Sequence, residues 1–184
     1  MLNLKRIGSL LTIIAITAGC ATTIPDPNKP LEKYTAIGRA ALKAPENSGQ
    51  ASFNWEQKTP EELKLIVQGP LGSGRIDLAV APNESVLKTE EKTYTGKSPD
   101  ELFTEITGFD WPISGMQNWL VGTPNAKATN IERDDKNRII AFKEDGWNIQ
   151  YKKWMNYKKR DIPQSIELTR GDVSLRLLLE HWLY

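Results

Sequence analysis

Apolar residues recur at every second position over much of this chain. Phe53 and Trp55 share one face of a run over 51–57 with Ala51 and Gln57. Leu63, Leu65 and Val67 share a face, with Lys64 and Gln68 on the other. Ile76, Leu78 and Val80 alternate with Arg75 and Asp77. Trp147, Ile149 and Tyr151 alternate with Asn148, Gln150 and Lys152. At the end of the chain Val173, Leu175, Leu177 and Leu179 oppose Ser174, Arg176 and Glu180. A period of two predicts half-buried strands. Runs over 36–44, 126–133, 138–143 and 162–169 extend the set, and 86–89 and 92–95 are weaker strand candidates. Turn chemistry separates them: residues 45–49, Pro82-Asn83, Asp134-Asp135-Lys136-Asn137, the charged 158–161 and Arg170-Gly171-Asp172. Residues 31–37 read either as a short helix or as the lead into the first strand, with Gly38 weakening the helix.

The period changes once, midway. Ser98-Pro99-Asp100-Glu101 is a helix start, with Ser98 as N-cap, Pro99 at the first helical position and Glu101 three residues after the cap. Leu102, Phe103 and Ile106 form its apolar stripe and Gly108 ends it. Trp111-Pro112 breaks the chain. Ser114 is expected to cap a second short helix carrying Met116, Trp119, Leu120 and Val121, closed by Gly122 and Pro124. About nine to eleven strands joined by short hairpins predict an antiparallel meander. A sheet of that width curls, so the expected fold is a curved sheet or incomplete barrel with helices across its open side. Residues 31–184 form this single domain. The interior is either filled by side chains or left as an apolar cavity, since two short helices offer little to fill it. Either sheet face could be the concave one.

Gly69-Pro70-Leu71-Gly72-Ser73-Gly74 stands between two of these strands. Pro70 presets φ and the glycines free the backbone for a tight turn. Leu71 is a large apolar residue with little protein near a hairpin tip to bury it. It either folds back onto the sheet or is held out to a membrane or a lipid-bearing partner.

The first nineteen residues read as a signal peptide. Lys5 and Arg6 precede an apolar run over 7–18, too short to span a bilayer comfortably. Thr17-Ala18-Gly19-Cys20 then resembles a bacterial lipobox, which implies cleavage before Cys20 and acylation of it, although Thr17 departs from the usual Leu. Cys20 is the only cysteine, so no internal disulfide can form. Residues 20–30, with Pro25, Pro27 and Pro30, read as an extended lipidated tether. Removing residues 1–19 takes Lys5 and Arg6 from 24 basic residues and leaves 22 against 23 acidic. That balance argues against a nucleic-acid binder.

Catalytic chemistry is scarce. His181 is the only histidine and reads as a strand-end residue. One His and one lipidated Cys cannot build a common zinc site, so no metal and no cofactor are expected. Gly69 and Gly74 have P-loop spacing, but Arg75-Ile76 stand where Lys and Ser or Thr are needed. Glu61-Glu62, Glu90-Glu91 and Asp134-Asp135 fall at turns, and adjacent carboxylates in a strand face opposite sides. No catalytic residue is assigned, and the chain reads as a non-enzyme.

Several features, in order, resemble the LolB family of outer-membrane lipoprotein receptors. They are the lipobox at Cys20, Gly38-Arg39, Ser52-Phe53-Asn54-Trp55 and Gly69-Pro70-Leu71-Gly72-Ser73. Pro99 to Leu102, Trp119-Leu120-Val121-Gly122-Thr123-Pro124, Gly146-Trp147 through Tyr151, Ile162-Pro163 and Trp182 complete them. The resemblance implies an antiparallel open β-barrel of eleven strands covered by helices, with an apolar cavity for acyl chains. It implies a protruding loop, here Pro70, Leu71 and Gly72, that helps deliver cargo into the membrane. It also implies a periplasmic LolA-like carrier and acylated lipoproteins as partners, contact with outer-membrane lipids, and a lipid-anchored monomer at the outer membrane of a Gram-negative bacterium. Ala21 after Cys20 lacks the Asp that retains lipoproteins in the inner membrane, consistent with that location.

The physics agrees with such a role. A bare 16-carbon chain in water costs roughly 12 kcal/mol at about 0.8 kcal/mol per CH₂. A carrier must hide it and a receptor must take it over, and with no nucleotide site the transfer runs down an affinity gradient. Candidate cavity walls are Phe53 and Trp55, Leu65 and Val67, Ile76 and Leu78, Trp147 and Ile149, and Leu175 and Leu177. Two other readings compete: a structural lipoprotein or scaffold with a filled core, and a lipid-modifying hydrolase, for which no nucleophile and base pair is found.

Overall fold

The computed structural model describes residues 30–46 and 48–184. The expected signal peptide, Cys20 and almost all of the tether lie outside the described residues. Strands β1 (Tyr34–Lys43), β2 (Ser48–Thr59), β3 (Glu62–Gln68), β4 (Ile76–Ala81), β5 (Glu84–Lys88) and β6 (Thr93–Gly96) come first. Helices α1 (Pro99–Thr107) and α2 (Ile113–Trp119) follow. Strands β7 (Thr129–Arg133), β8 (Ile139–Glu144), β9 (Trp147–Tyr157), β10 (Arg160–Arg170) and β11 (Val173–Leu183) complete the chain. The first segment, left open between helix and strand, is strand from Tyr34 onward.

All eleven strands form one antiparallel sheet in the order β6-β5-β4-β3-β2-β1-β11-β10-β9-β8-β7. The first and last strands pair in its middle, so the two halves of the chain are two meanders joined along β1 and β11. β6 and β7 are the free edges, and the chain crosses between them through α1 and α2. The sheet is an open barrel with helices across the gap.

The period-two pattern sets the inside. Phe53, Trp55 and Gln57 of β2 and Leu63, Leu65 and Val67 of β3 are all buried, and Glu56, Glu62 and Lys64 beside them are exposed. One residue of β11 breaks the pattern where that strand pairs with β1. Ile37 pairs with His181 but Gly38 pairs with Leu179, so Glu180 is an extra residue. This bulge turns Trp182 inward after Leu179, where strict alternation would have sent it out. Gly38 makes it possible, because a Cβ there would lie 2.1 Å from the Leu178 carbonyl oxygen.

α1 forms as its cap sequence predicts. The Ser98 hydroxyl accepts the Glu101 amide at 3.2 Å, and Gly108 closes the helix in the left-handed conformation. Ser114 does not cap α2. Pro112 occupies that position without a side-chain bond, and Ser114 sits inside the first turn. Its amide and hydroxyl both donate to the Asp100 carboxylate of α1, so the residue fastens one helix to the other. The charged turn after β9 is also shorter than expected: Lys158 and Lys159 make it alone, both with positive φ, and Arg160 and Asp161 already belong to β10.

Candidate functional site

The inner face of the sheet meets the helices over an aromatic interior. The Trp111 ring packs edge-on against Phe53 at 6.5 Å and Phe103 at 5.7 Å. Its indole N–H points at the Met116 sulfur. On the other side Trp119 meets Phe142 at 6.3 Å, and Phe142 meets Tyr151 at 6.1 Å. Most of the interior is therefore filled.

One apolar hollow of about 130 Å³ remains, between the β1–β4 half of the sheet and the far end of α1. Ala40, Leu42, Ala51, Val67 and Ile76 form its floor, and Phe103, Phe109 and Trp111 its roof. Ligand pockets run to about 300–1,000 Å³, so this hollow is a fraction of the room an acyl chain needs.

The two helices are held very differently. Tyr34 of β1 donates its hydroxyl to the Gln117 carbonyl at 2.6 Å, and Tyr151 of β9 donates to the Trp119 carbonyl at 2.8 Å. α2 is thus pinned from both halves of the sheet. Burial keeps both phenols protonated well above their ordinary range, so they remain donors. Just beyond α2, the buried Glu144 accepts the Asn125 amide at 2.8 Å and its side-chain N–H. α1 has no such bond to the sheet among the described residues. Its buried Leu102 and Phe103, the partly buried Ile106, the Asp100–Ser114 contact and a half-buried Asp110–Arg170 ion pair just after it are what hold it. Apolar contacts slide where buried hydrogen bonds do not.

The Leu71 loop projects away from this interior, while its ends, Gly69 and Gly74, line the hollow. Pro70–Gly72 form a single 3-10 turn between β3 and β4. The Gly69 amide donates to the Ser73 carbonyl at 2.8 Å, the Ser73 hydroxyl to the Pro70 carbonyl at 2.9 Å, and Gln68 Nε2 to the Gly72 carbonyl at 3.2 Å. A Cβ on Gly69 would meet the Ser73 carbonyl oxygen at 2.8 Å. Within this braced loop Leu71 is held at φ 58° and is fully exposed. That conformation costs a non-glycine residue on the order of 1 kcal/mol. The leucine does not fold back onto the sheet.

The ten expected wall residues all face inward, but not into one space. Val67 and Ile76 line the hollow, and Phe53 backs Trp111. Trp55 is bonded to Gln57 at 2.9 Å, and Leu65 and Leu78 are buried beside each other across β3 and β4. Trp147, Ile149, Leu175 and Leu177 are buried in the filled part. Ala40, Leu42, Phe109 and Trp111 were not among the expected walls. The alternation of β1 carries Ala40 and Leu42, whereas Phe109 and Trp111 come from a linker with no period to read.

An open antiparallel sheet with two covering helices is a fold shared with lipoprotein-sorting proteins. A LolA superfamily protein from Nitrosomonas europaea superposes with a TM-score of 0.54 at 8% identity, covering 85% of this chain and 87% of that one. The family described as "Outer membrane lipoprotein LolB" matches residues 32–182. Outer-membrane lipoprotein LolB of Chromohalobacter salexigens is 26% identical over 94% of this chain and 87% of its own length. That of Serratia proteamaculans is 27% identical over 95% and 96%. The chain belongs to the LolB family of outer-membrane lipoproteins.

Proposed function

We propose that this chain is a receptor, not an enzyme, that accepts acylated lipoproteins from a LolA-like periplasmic carrier and passes them into the outer membrane. The observation that carries the reading is the apolar hollow roofed by Phe103 of the less firmly held helix and by Phe109 and Trp111 of the linker that follows it. An arriving acyl chain displaces that roof and takes its place against Val67, Ile76 and the β1 floor. α2 stays pinned by Tyr34 and Tyr151 and keeps the barrel's two halves in register. Each methylene that leaves water contributes about 0.8 kcal/mol, so a chain of ordinary length repays the displaced roof contacts. No nucleotide is needed: cargo moves from weaker to stronger binding and then to the bilayer. Leu71, braced and exposed, leads the contact with the membrane. Residues 1–19 are removed, acylated Cys20 anchors the protein, and residues 20–30 tether the domain.

The test uses the chain without residues 1–20. It binds an acylated lipoprotein and does not bind the same lipoprotein stripped of its acyl chains. Equal binding of both forms refutes the reading. The largely filled interior favours a second reading, a scaffold lipoprotein that recognises protein surface alone, and equal binding is its signature.

A further inference from the structure

We propose that a trough on the outer face of the sheet, beneath the Leu71 loop, holds the phosphodiester headgroup of a membrane phospholipid between Arg39 and Arg176. The trough is about 570 Å³ and lies on the side of the sheet away from the hollow. Ala41, Ser52, Ser165 and Leu178 contribute to its floor, and Gln68 and residues 69–72 rise along one wall. The register pairs Arg39 with Leu178 and Ala41 with Arg176. The two arginines are therefore diagonal neighbours on one face, with Cβ atoms no more than about 7–8 Å apart. One phosphate can bridge guanidiniums at that spacing.

Two like charges side by side need a reason or a counter-charge. Each arginine leans instead onto a strand neighbour on its far side. Arg39 Nε and Nη2 both donate to one oxygen of Glu180, at 2.8 and 2.7 Å, and Arg176 Nε donates to Glu167 at 2.9 Å. These side chains are 66% and 73% exposed. Ion pairs of so exposed an arginine contribute little, so either guanidinium can swing to an incoming phosphate. The outer-face row Lys152, Glu167, Arg176, Arg39, Glu180 keeps one net positive charge across four strands. A guanidinium fork matches phosphate oxygens in pairs.

The trough's other surface is apolar. Leu178 is one of few large apolar side chains exposed among the described residues, and Leu71 stands at the rim. A headgroup seated on the arginines places its glycerol and chains alongside both leucines. The inference rests on the proposed membrane contact of Leu71 and adds its chemistry: the loop meets a lipid by its phosphate as well as its chains.

The experiment titrates the full lipidated chain, in maltoside micelles, with glycerophosphoglycerol, the deacylated headgroup, followed by ³¹P line broadening. Saturable broadening is expected, with affinity lowered about tenfold or more in Arg39→Gln/Arg176→Gln. It is expected unchanged in Lys64→Gln/Lys88→Gln, which removes equal charge from exposed positions on β3 and β5. Inorganic phosphate, run in parallel, is expected to bind more weakly than the headgroup. Absence of broadening, equal loss in both double variants, or tighter binding of inorganic phosphate overturns the proposal. The titration contains no delivery step and no acylated cargo. A failed headgroup site and a failed receptor reading therefore give different results.

Discussion

Replacing Leu71 with glutamate separates what holds the fold together from what the loop does outside it. Leu71 is fully exposed at the tip of a turn whose hydrogen bonds are made by its neighbours. Its loss therefore changes folding stability by no more than about 0.5 kcal/mol, as for other surface positions. At a membrane the balance is different. Burying a leucine side chain in an apolar phase contributes about 1.5–3 kcal/mol. A carboxylate in its place adds a penalty of order 2.5 kcal/mol or more at depth. The swing of about 4–6 kcal/mol corresponds to roughly 10³–10⁴ in the loop's partition between water and bilayer. The assay loads the receptor with an acylated lipoprotein, adds vesicles and follows cargo that sediments with them. In the Leu71→Glu protein, cargo is expected to load normally and stay on the receptor, with delivery slowed by about two orders of magnitude or more. Leu71→Met, equally apolar, is expected to deliver. Undiminished delivery by the glutamate variant, with an unchanged thermal melt, refutes the role of the leucine.

Trp111→Ala removes most of the roof. It is expected to lower stability by about 3–5 kcal/mol in denaturant titration, and to enlarge the hollow so that an apolar dye binds more tightly. Tyr151→Phe strands the Trp119 carbonyl that the phenol caps at 2.8 Å, at a cost of about 1–3 kcal/mol by the same titration. Burial raises the Tyr34 and Tyr151 pKa values above 10.0 in the fold. Above that pH the unfolded chain has lost protons that the folded one keeps, so stability falls as pH rises. Tyr151→Phe is expected to make this alkaline fall shallower. Gly38→Ala drives a Cβ into the Leu178 carbonyl oxygen at 2.1 Å, and is expected to melt much earlier than the parent or fail to fold.

Most strands were legible because one face is buried and the other wet, which writes the register into the sequence at period two; β7, exposed along its whole length, carries no such period. The α1 start was legible for a local reason: Ser98, Pro99 and Glu101 answer the unpaired amides of a helix end by themselves. α2 was misread at its start because Ser114 has a distant partner, Asp100, which no local pattern announces. The Gly38 bulge was hidden for a related reason, since the extra residue lies on the partner strand, 142 positions away at Glu180. Site legibility divides the same way. The inward faces of β2, β3 and β4 were readable residue by residue. Which inward residues border empty space depends on the roof, and Phe109 and Trp111 reach it from an irregular linker. The division between a pinned α2 and a sliding α1 rests on two tyrosine hydroxyls that, in sequence, are only members of apolar runs.

The most direct test of acyl-chain capture beneath α1 is photolabelling from within the chain itself. A lipoprotein carrying a diazirine near the end of its acyl chain is bound to the receptor, irradiated, and the labelled peptides are identified by mass spectrometry. Label on the floor, around Ala40 and Leu42 of β1, Val67 of β3 and Ile76 of β4, and on the segment from Phe103 to Trp111 is the predicted result. Label confined to the outer face of the sheet, or none on the protein while binding persists, contradicts it.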